Sequence, residues 1–309
     1  MTEHPKALII TVNFRQDECT RRFLDSARKL VGFPECHVLI VDNKSDDDSV
    51  SSIRSASGSL SNVELFASTQ NGGYFGGARW ALERYLEDQP VPEWVIVCNN
   101  DIVFSDPEFL SWLLARNWEG VGVVAPSVVS ALTRHDENPS IRNRPSRLRM
   151  WRYRLWLSNY YGMWFKQWLS PWVRRTRHDL RTWTTASGGS GPSGIYAPSG
   201  AFLIFTRKFF DAGGFIDDGA FLYAEEFRVA EMCRQLGLSV IHDPKLRVWH
   251  EGSQSTGRML TRMVFRHQKA GFDYALRRYR TSYPELATAK PHRAPVHEIT
   301  PNAVGDSVR

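Results

Sequence analysis

The chain has 309 residues, a hydrophobic share of 42% and a formal net charge of +6. That length suits one large α/β domain carrying an insertion, and no run of about 18 apolar residues is present to form a membrane-spanning helix. Cys19, Cys36, Cys98 and Cys233 are scattered without metal-ligand or paired spacing, and the first residues have no apolar core of signal-peptide length, so the expected setting is a reducing cytoplasm.

Ala7 to Val12 reads as a first buried strand, followed by Asn13. Apolar spacing at Phe23, Leu24, Ala27 and Leu30 predicts a helix over 16–30, stopped by Gly32. His37 to Val41 is a second strand and ends in Asp42, Asn43, Lys44, Ser45 and Asp46. A weak helix over 49–57 and a third strand over 63–67 follow. The Gly-rich stretch Asn71 to Gly77 then opens a helix that runs through Leu86. Trp94 to Cys98 is apolar without alternation, as in a strand buried on both faces, and it ends in Asn99, Asn100 and Asp101. A helix over 107–116, with proline in its first turn, and a strand over 121–125 complete the series. Strands alternating with helices predict a doubly wound, mostly parallel sheet with right-handed crossovers. Ligands bind such sheets beyond the carboxyl ends of the strands, where Asp42 and Asp101 both fall. A carboxylate there suits a hard divalent cation, although Asn-Asn-Asp alone also reads as a turn.

The Gly-rich stretch is not a dinucleotide fingerprint. It follows the third strand, and Gly72-Gly73 with Gly76-Gly77 does not make G-x-G-x-x-G. Close helix packing and close approach to a ligand both remain open for it.

Residues 142–181 hold eleven Lys and Arg against one acid, Asp179, so the rest of the chain is net negative. Trp151, Trp156, Trp164, Trp168, Trp172 and Trp183 interleave with these charges over 142–183. An anionic membrane surface is the first reading of this insertion. A packed insertion with a solvated basic face is the second. Nucleic acid comes third, since no nucleic-acid motif accompanies the segment. Residues 126–141 read as a loop and Ser187 to Gly194 as a linker or mobile loop. Ser199 to Thr206 is a strand, Phe209 to Ala212 a short helix, and Phe221 to Glu226 leads into a helix ending at Leu236-Gly237. Ser239 to His242 is a strand, and Val248 to Gly252 carries His250. Residues 1–257 are expected to form one domain and 258–285 a helical segment. The polar, proline-punctuated 286–309 is expected to be a disordered tail.

These pieces, in this order, resemble family 2 glycosyltransferases of the GT-A fold, in particular the bacterial rhamnosyltransferase-like branch. The resemblance covers roughly residues 7–257 apart from the insertion. It is carried by Thr11-Val12-Asn13, by Val41-Asp42-Asn43 with Ser45 and Asp46, by Gln70-Asn71-Gly72-Gly73 with Gly76-Gly77, and by Cys98-Asn99-Asn100-Asp101. Gly213-Gly214-Phe215, Phe221-Leu222-Tyr223 with Glu225-Glu226, and Trp249-His250 complete it.

The resemblance implies a Rossmann-like sheet flanked by helices. It implies inverting sugar transfer from a dTDP- or UDP-sugar to a glycan or lipid-linked acceptor in cell-surface polysaccharide assembly, on the inner face of the cell membrane. Thr11, Asn13, Asp42, Asn71, Gly72, Gly73, Asn99, Asn100 and Asp101 would bind the nucleotide sugar, with Asp42 on the base. Asp101 would hold Mg²⁺ or Mn²⁺, and His250 is a metal ligand, a diphosphate contact or a structural residue. Glu226 would be the general base and Glu225 its support. Three departures stand out. Glu226 replaces an Asp, Arg228 replaces a second Asp, and Asn99 replaces the first carboxylate of a D-x-D, which implies weak metal affinity. The rival expectation is a catalytically silent, membrane-associated binder of nucleotide sugars or glycans. A nucleotidyltransferase would need a glycine-rich basic loop after the first strand, and Asn13-Phe14-Arg15-Gln16 has no glycine.

Overall fold

The computed structural model describes residues 4–116, 118–165, 191–252 and 261–279. The expected tail over 286–309, Trp168, Trp172 and Trp183, and Ser187 to Ser190 lie outside the described residues. Four strands, β1 (Ala7–Asn13), β2 (Cys36–Asp42), β3 (Val63–Ala67) and β4 (Trp94–Asn99), pair in parallel in the order β3-β2-β1-β4. Between them run α1 (Asp17–Ala27), α2 (Ser49–Ser57) and α3 (Gly73–Asp88).

The sheet continues through β8 (Phe202–Thr206), β6 (Val121–Ser130), β9 (Ser239–His250) and β5 (Ile102–Phe104), with β7 (Ser193–Ile195) also on β9. Here the directions mix: β8 is antiparallel to β4 and β6, β6 is parallel to β9, and β5 and β7 are antiparallel to β9. The parallel pairing expected from the sequence is therefore continuous over β3-β2-β1-β4 and recurs between β6 and β9, with antiparallel pairs at the other positions.

Alternate residues of the apolar strands face opposite ways. Ile9, Ile40 and Ile96 join Phe23 and Leu24 of α1 and Ile53 of α2 on one face, with Phe109 and Leu110 of α4 (Phe109–Leu114). Leu8, Ile10 and Val97 join Phe75, Ala78 and Leu82 of α3 on the other. With them are Phe209 of α6 (Arg207–Asp211) and Val229 and Met232 of α7 (Glu225–Gln235). Two covered faces explain strands without polar alternation.

The insertion contributes α5 (Arg147–Trp156), capped by the Ser146 side chain accepting from the Arg149 amide. It does not join the sheet layers. Met150 and Tyr153 of α5 and the following Leu157 form a separate cluster with Val264, Phe265 and Phe272 of α8 (Arg262–Tyr279).

Two expectations are corrected. Residues 126–141 are not all loop, because β6 runs to Ser130 and pairs Ser127–Ser130 with Arg247–His250 beyond an irregularity after Pro126. Ser193 and Gly194 are not linker, because they pair with His242 and Ile241 as part of β7.

Candidate active site

The parallel strands bring their carboxyl ends to one edge, where Asn13 lies beside Asp42 and Val12 beside Asn99. Asn13 is a buried hub. Its amide donates to Asp42 Oδ2 at 2.8 Å, and its carbonyl accepts from Thr20 Oγ1 at 3.0 Å and Asn100 Nδ2 at 3.1 Å. Asp42 Oδ1 accepts from the Ser45 amide at 2.8 Å, so both carboxylate oxygens are engaged within the protein. Asn100 also donates to Gln16 O and Thr20 Oγ1, which ties the β4–β5 turn to the start of α1. Thr11 is fully buried beside Cys98, short of the edge. Thr20 carries no sequence signal, and only the fold shows its part in this network.

Asn71 accepts from Asn43 Nδ2 at 2.9 Å and from the Gly73 amide at 3.0 Å, while Asn43 Oδ1 accepts from the Gly72 amide. Gly73 has φ +76°, and a Cβ there would stand 2.0 Å from the Phe221 carbonyl oxygen. A Cβ on Gly77 would stand 3.1 Å from Val12 Cγ1. The close approaches at these two glycines are to the protein's own chain.

Asp101 is buried, and its Oδ1 lies 3.2 Å from His250 Nε2 with no hydrogen-bond partner among the described residues. Asn99 Nδ2 stands 3.5 Å from the same nitrogen. Glu137, which the sequence did not single out, contacts His250 Nδ1 at 3.0 Å. Burial works to lower the His250 pKa, but the contacts with Asp101 and Glu137 outweigh it and raise the value to about 10. A carboxylate oxygen and an imidazole nitrogen facing each other, with a second carboxylate on the far ring nitrogen, suit a divalent cation. No third His, Cys, Asp or Glu among the described residues completes a protein-only metal cage. Two protein donors with the remaining positions left to substrate phosphate is how Mg²⁺-type sites are usually built.

The glutamate pair opens α7. Tyr223 and Ala224, just before it, have φ of 71° and 65°. This strained entry turns Glu225 inward and leaves Glu226 half-buried. Glu226 Oε2 lies 3.7 Å from where a Cβ on Gly200 would stand, and the Asn99 amide donates to the carbonyl of the adjacent Ala201 at 2.9 Å. Residues 200 and 201 thus connect the surroundings of the glutamates to the end of β4, two residues before Asp101. Burial, and then the neighbouring Glu226, push Glu225 up to about 7 against the pull of Arg228. Burial likewise raises Glu226. Tyr74 has a buried hydroxyl without a hydrogen-bond partner among the described residues. Burial first, then Cys98, Glu225 and Asp101, hold its pKa well above the ordinary phenol value.

Arg228 is 0% exposed. It donates to the Asp217 carbonyl, lies over the Phe75 and Tyr274 rings, and places Nη2 3.4 Å from Glu225 Oε1. Asp217 in turn accepts from the hydroxyls of Tyr274 and Tyr279 on α8 and from the Gly219 amide. The loop 217–224 is gripped from several sides. Besides the Gly73 contact, a Cβ on Gly219 would stand 2.0 Å from the Tyr274 ring, and one on Gly271 2.5 Å from the Tyr223 carbonyl oxygen.

The family model Glycosyl transferase family 2 matches residues 8–179. A curated relative from Mycobacterium tuberculosis, N-acetylglucosaminyl-diphospho-decaprenol L-rhamnosyltransferase, is 25% identical over 287 residues, covering 88% of this chain and 84% of its own. Among solved structures, the mannosyltransferase PcManGT from Pyrobaculum calidifontis in complex with GDP-Man and Mn²⁺ is similar at TM-score 0.50 and 16% identity. That match covers 82% of this chain and 59% of that one. GalNAc-T7 with UDP, GalNAc and Mn²⁺ is similar at TM-score 0.57 and 13% identity, covering 88% of this chain and 48% of that one. These structural likenesses bear on the fold, which is GT-A.

Proposed function

Because the chain belongs to glycosyl transferase family 2, we propose that it is an inverting enzyme carrying a deoxyhexose such as rhamnose from a dTDP- or UDP-sugar to a lipid-linked glycan. The relative named as a rhamnosyltransferase acting on N-acetylglucosaminyl-diphospho-decaprenol supports both the sugar and the acceptor class. The observation that carries the reading is that Asp101 meets His250 at the carboxyl edge of the sheet while Glu225 and Glu226 lie against Gly200, whose neighbour Ala201 bonds the end of β4.

In the proposed step the acceptor hydroxyl oxygen bonds to the anomeric carbon on the face opposite the diphosphate. The bond from that carbon to the diphosphate oxygen breaks, and its electron pair leaves with the diphosphate. The hydroxyl proton passes to the Glu226 carboxylate, whose raised pKa makes it the better acceptor. Glu225 supports it from the buried side. Asn13, Asp42, Asn71, Gly72, Gly73, Asn99 and Asn100 shape the donor side, and Thr11 underlies it. Asp101 and His250 would hold Mg²⁺ or Mn²⁺, which neutralises charge growing on a leaving diphosphate. The Mn²⁺ complexes among the structural neighbours support a divalent ion.

Residues 142–183 are the proposed contact with an anionic membrane surface on the cytoplasmic side. Between 142 and 165 there are six arginines and no acid, and Trp151 and Trp164 are exposed. Among the described residues no helix is long and apolar enough to cross a membrane. The silent-binder reading is not favoured, since the curated relative is named a transferase and both glutamates are present.

The test is sugar transfer from dTDP-rhamnose and UDP-sugars to a lipid-linked acceptor, with and without Mn²⁺, beside Glu226→Gln. Loss of transfer with donor binding retained is expected. Full activity in Glu226→Gln would remove the assigned base.

A further inference from the structure

We propose that the cavity of about 420 Å³ between α5, α7 and α8 receives the isoprenoid chain of the acceptor, with Arg154 on its wall facing the acceptor diphosphate. The proposal rests on the reading above that the acceptor is lipid-linked.

The walls set the ligand class. Met150, Trp151, Phe227 and Leu276 supply apolar surface from three helices. The polar groups on the wall pair with one another: buried Glu231 accepts from Arg144 at 2.7 and 3.1 Å and from the Tyr196 hydroxyl at 2.7 Å. Little is left there to pair with the hydroxyls of a soluble glycan, and leaving such hydroxyls unpaired in an apolar site is costly. Arg154 differs from Arg144, because among the described residues no ion-pair or hydrogen-bond partner is found for it. A cavity of this size lies within the ordinary range for small-molecule sites, roughly 300–1,000 Å³. A guanidinium without a partner among the described residues, on walls that are apolar apart from polar groups already paired within the protein, fits an amphiphile with an anionic head and a long apolar tail.

The cavity is placed to serve the reaction. Phe227 follows Glu226 directly on α7. On α5, Tyr153 lies between the wall residues Met150 and Arg154 in sequence, and its ring packs on Phe272 of α8 at 4.7 Å. A route for the chain also exists. Leu148, Trp151 and Leu155 are 66%, 61% and 58% exposed and follow one another at helical spacing on the outer face of α5. Trp151 belongs both to that stripe and to the cavity wall. Apolar surface is therefore continuous from the outside of the insertion to its underside.

The experiment compares two acceptors with the same sugar diphosphate head, one on a long polyprenyl chain and one on a short water-soluble chain, using the full-length protein. Leu276→Trp narrows the cavity, and Met150→Trp serves if that variant melts early. Narrowing should raise the ratio of long-chain to short-chain KM about 10-fold, whereas Arg154→Glu should raise KM for both acceptors about 10-fold. An unchanged ratio in the folded cavity variant overturns the proposal. If the wild-type protein uses neither acceptor, the lipid-linked reading itself fails. Binding of detergent-solubilised polyprenyl phosphate, read by tryptophan fluorescence, then decides the cavity alone: weaker binding in both Leu276→Trp and Arg154→Glu supports it, and equal binding overturns it.

Discussion

Substituting Arg228→Met removes the guanidinium buried between Asp217 and Glu225. Its Nη1 donates to the Asp217 carbonyl and stands 3.9 Å from Asp217 Oδ1, and its Nη2 stands 3.4 Å from Glu225 Oε1. Breaking a buried pair by deleting one partner costs about 3–5 kcal/mol, because the other charge stays behind. Two features favour the lower end. Asp217 keeps Tyr274, Tyr279 and the Gly219 amide, and Glu225, already near 7, can take up a proton when its cation is gone. Methionine also fills much of the space under Phe75 and Tyr274. A loss of about 3 kcal/mol corresponds to a fall in melting temperature of roughly 6–12 °C for a domain of about 200 residues. Thermal melts of wild type, Arg228→Met and the double variant Glu225→Gln/Arg228→Met at neutral pH measure it. The double variant should recover part of the loss, since replacing both partners of a buried pair is often neutral. A melting point for Arg228→Met within about 2 °C of wild type would refute the reasoning. So would a double variant that melts below the single one.

Glu137→Gln should weaken Mn²⁺ binding about 10- to 100-fold in calorimetry, as loss of a carboxylate behind a ligating histidine does. Unchanged affinity removes His250 from the ligand set. Glu225 is raised from 4.5 to about 7 by burial and Glu226, so the folded protein holds a proton that the unfolded chain releases. Its contribution to stability is fully present below about 4.5 and is lost as pH rises through about 7, by roughly 3 kcal/mol. Glu225→Gln should flatten that slope in melts across the window, and equal slopes would count against the assignment. The rise in Glu226 should place the acid limb of kcat/KM above the ordinary carboxylate range, with activity increasing as pH increases through it. Tyr74→Phe removes a buried hydroxyl that has no hydrogen-bond partner among the described residues and should lower kcat about 10-fold through loss of a hydrogen bond to the bound donor. An unaltered kcat would make the hydroxyl a passenger.

The parallel half of the fold is legible in the sequence because β1, β2 and β4 are covered on both faces and leave uninterrupted apolar runs. The polar residues that end them mark the ligand edge for the same reason. The antiparallel placement of β8 is not legible, since Phe202-Leu203-Ile204-Phe205 would look the same in either direction. The short β5 and β7 have too few residues to show a period. Asp101 and Glu226 stand next to recognisable patterns. Thr20 and Glu137 do not, because only the fold brings Thr20 to Asn100 and Glu137 to His250. The arginine-rich run signals a special surface, but one sequence does not say which side of α5 faces inward. That is decided by Phe272 and the rest of α8 beneath it.

The three glycines around the loop 217–224 set a rule for anyone recombining this chain with its relatives. Gly73 precedes the loop by far in sequence, Gly219 lies within it, and Gly271 follows it on α8. Each leaves room for an atom of another segment that a methyl group would displace. The loop leading into the glutamates is therefore not an exchangeable cassette. A chimera that imports it with a different residue at 73 or 271 inherits a collision between segments that were never adjacent in the gene, and crossover points that keep all three positions from one parent avoid it.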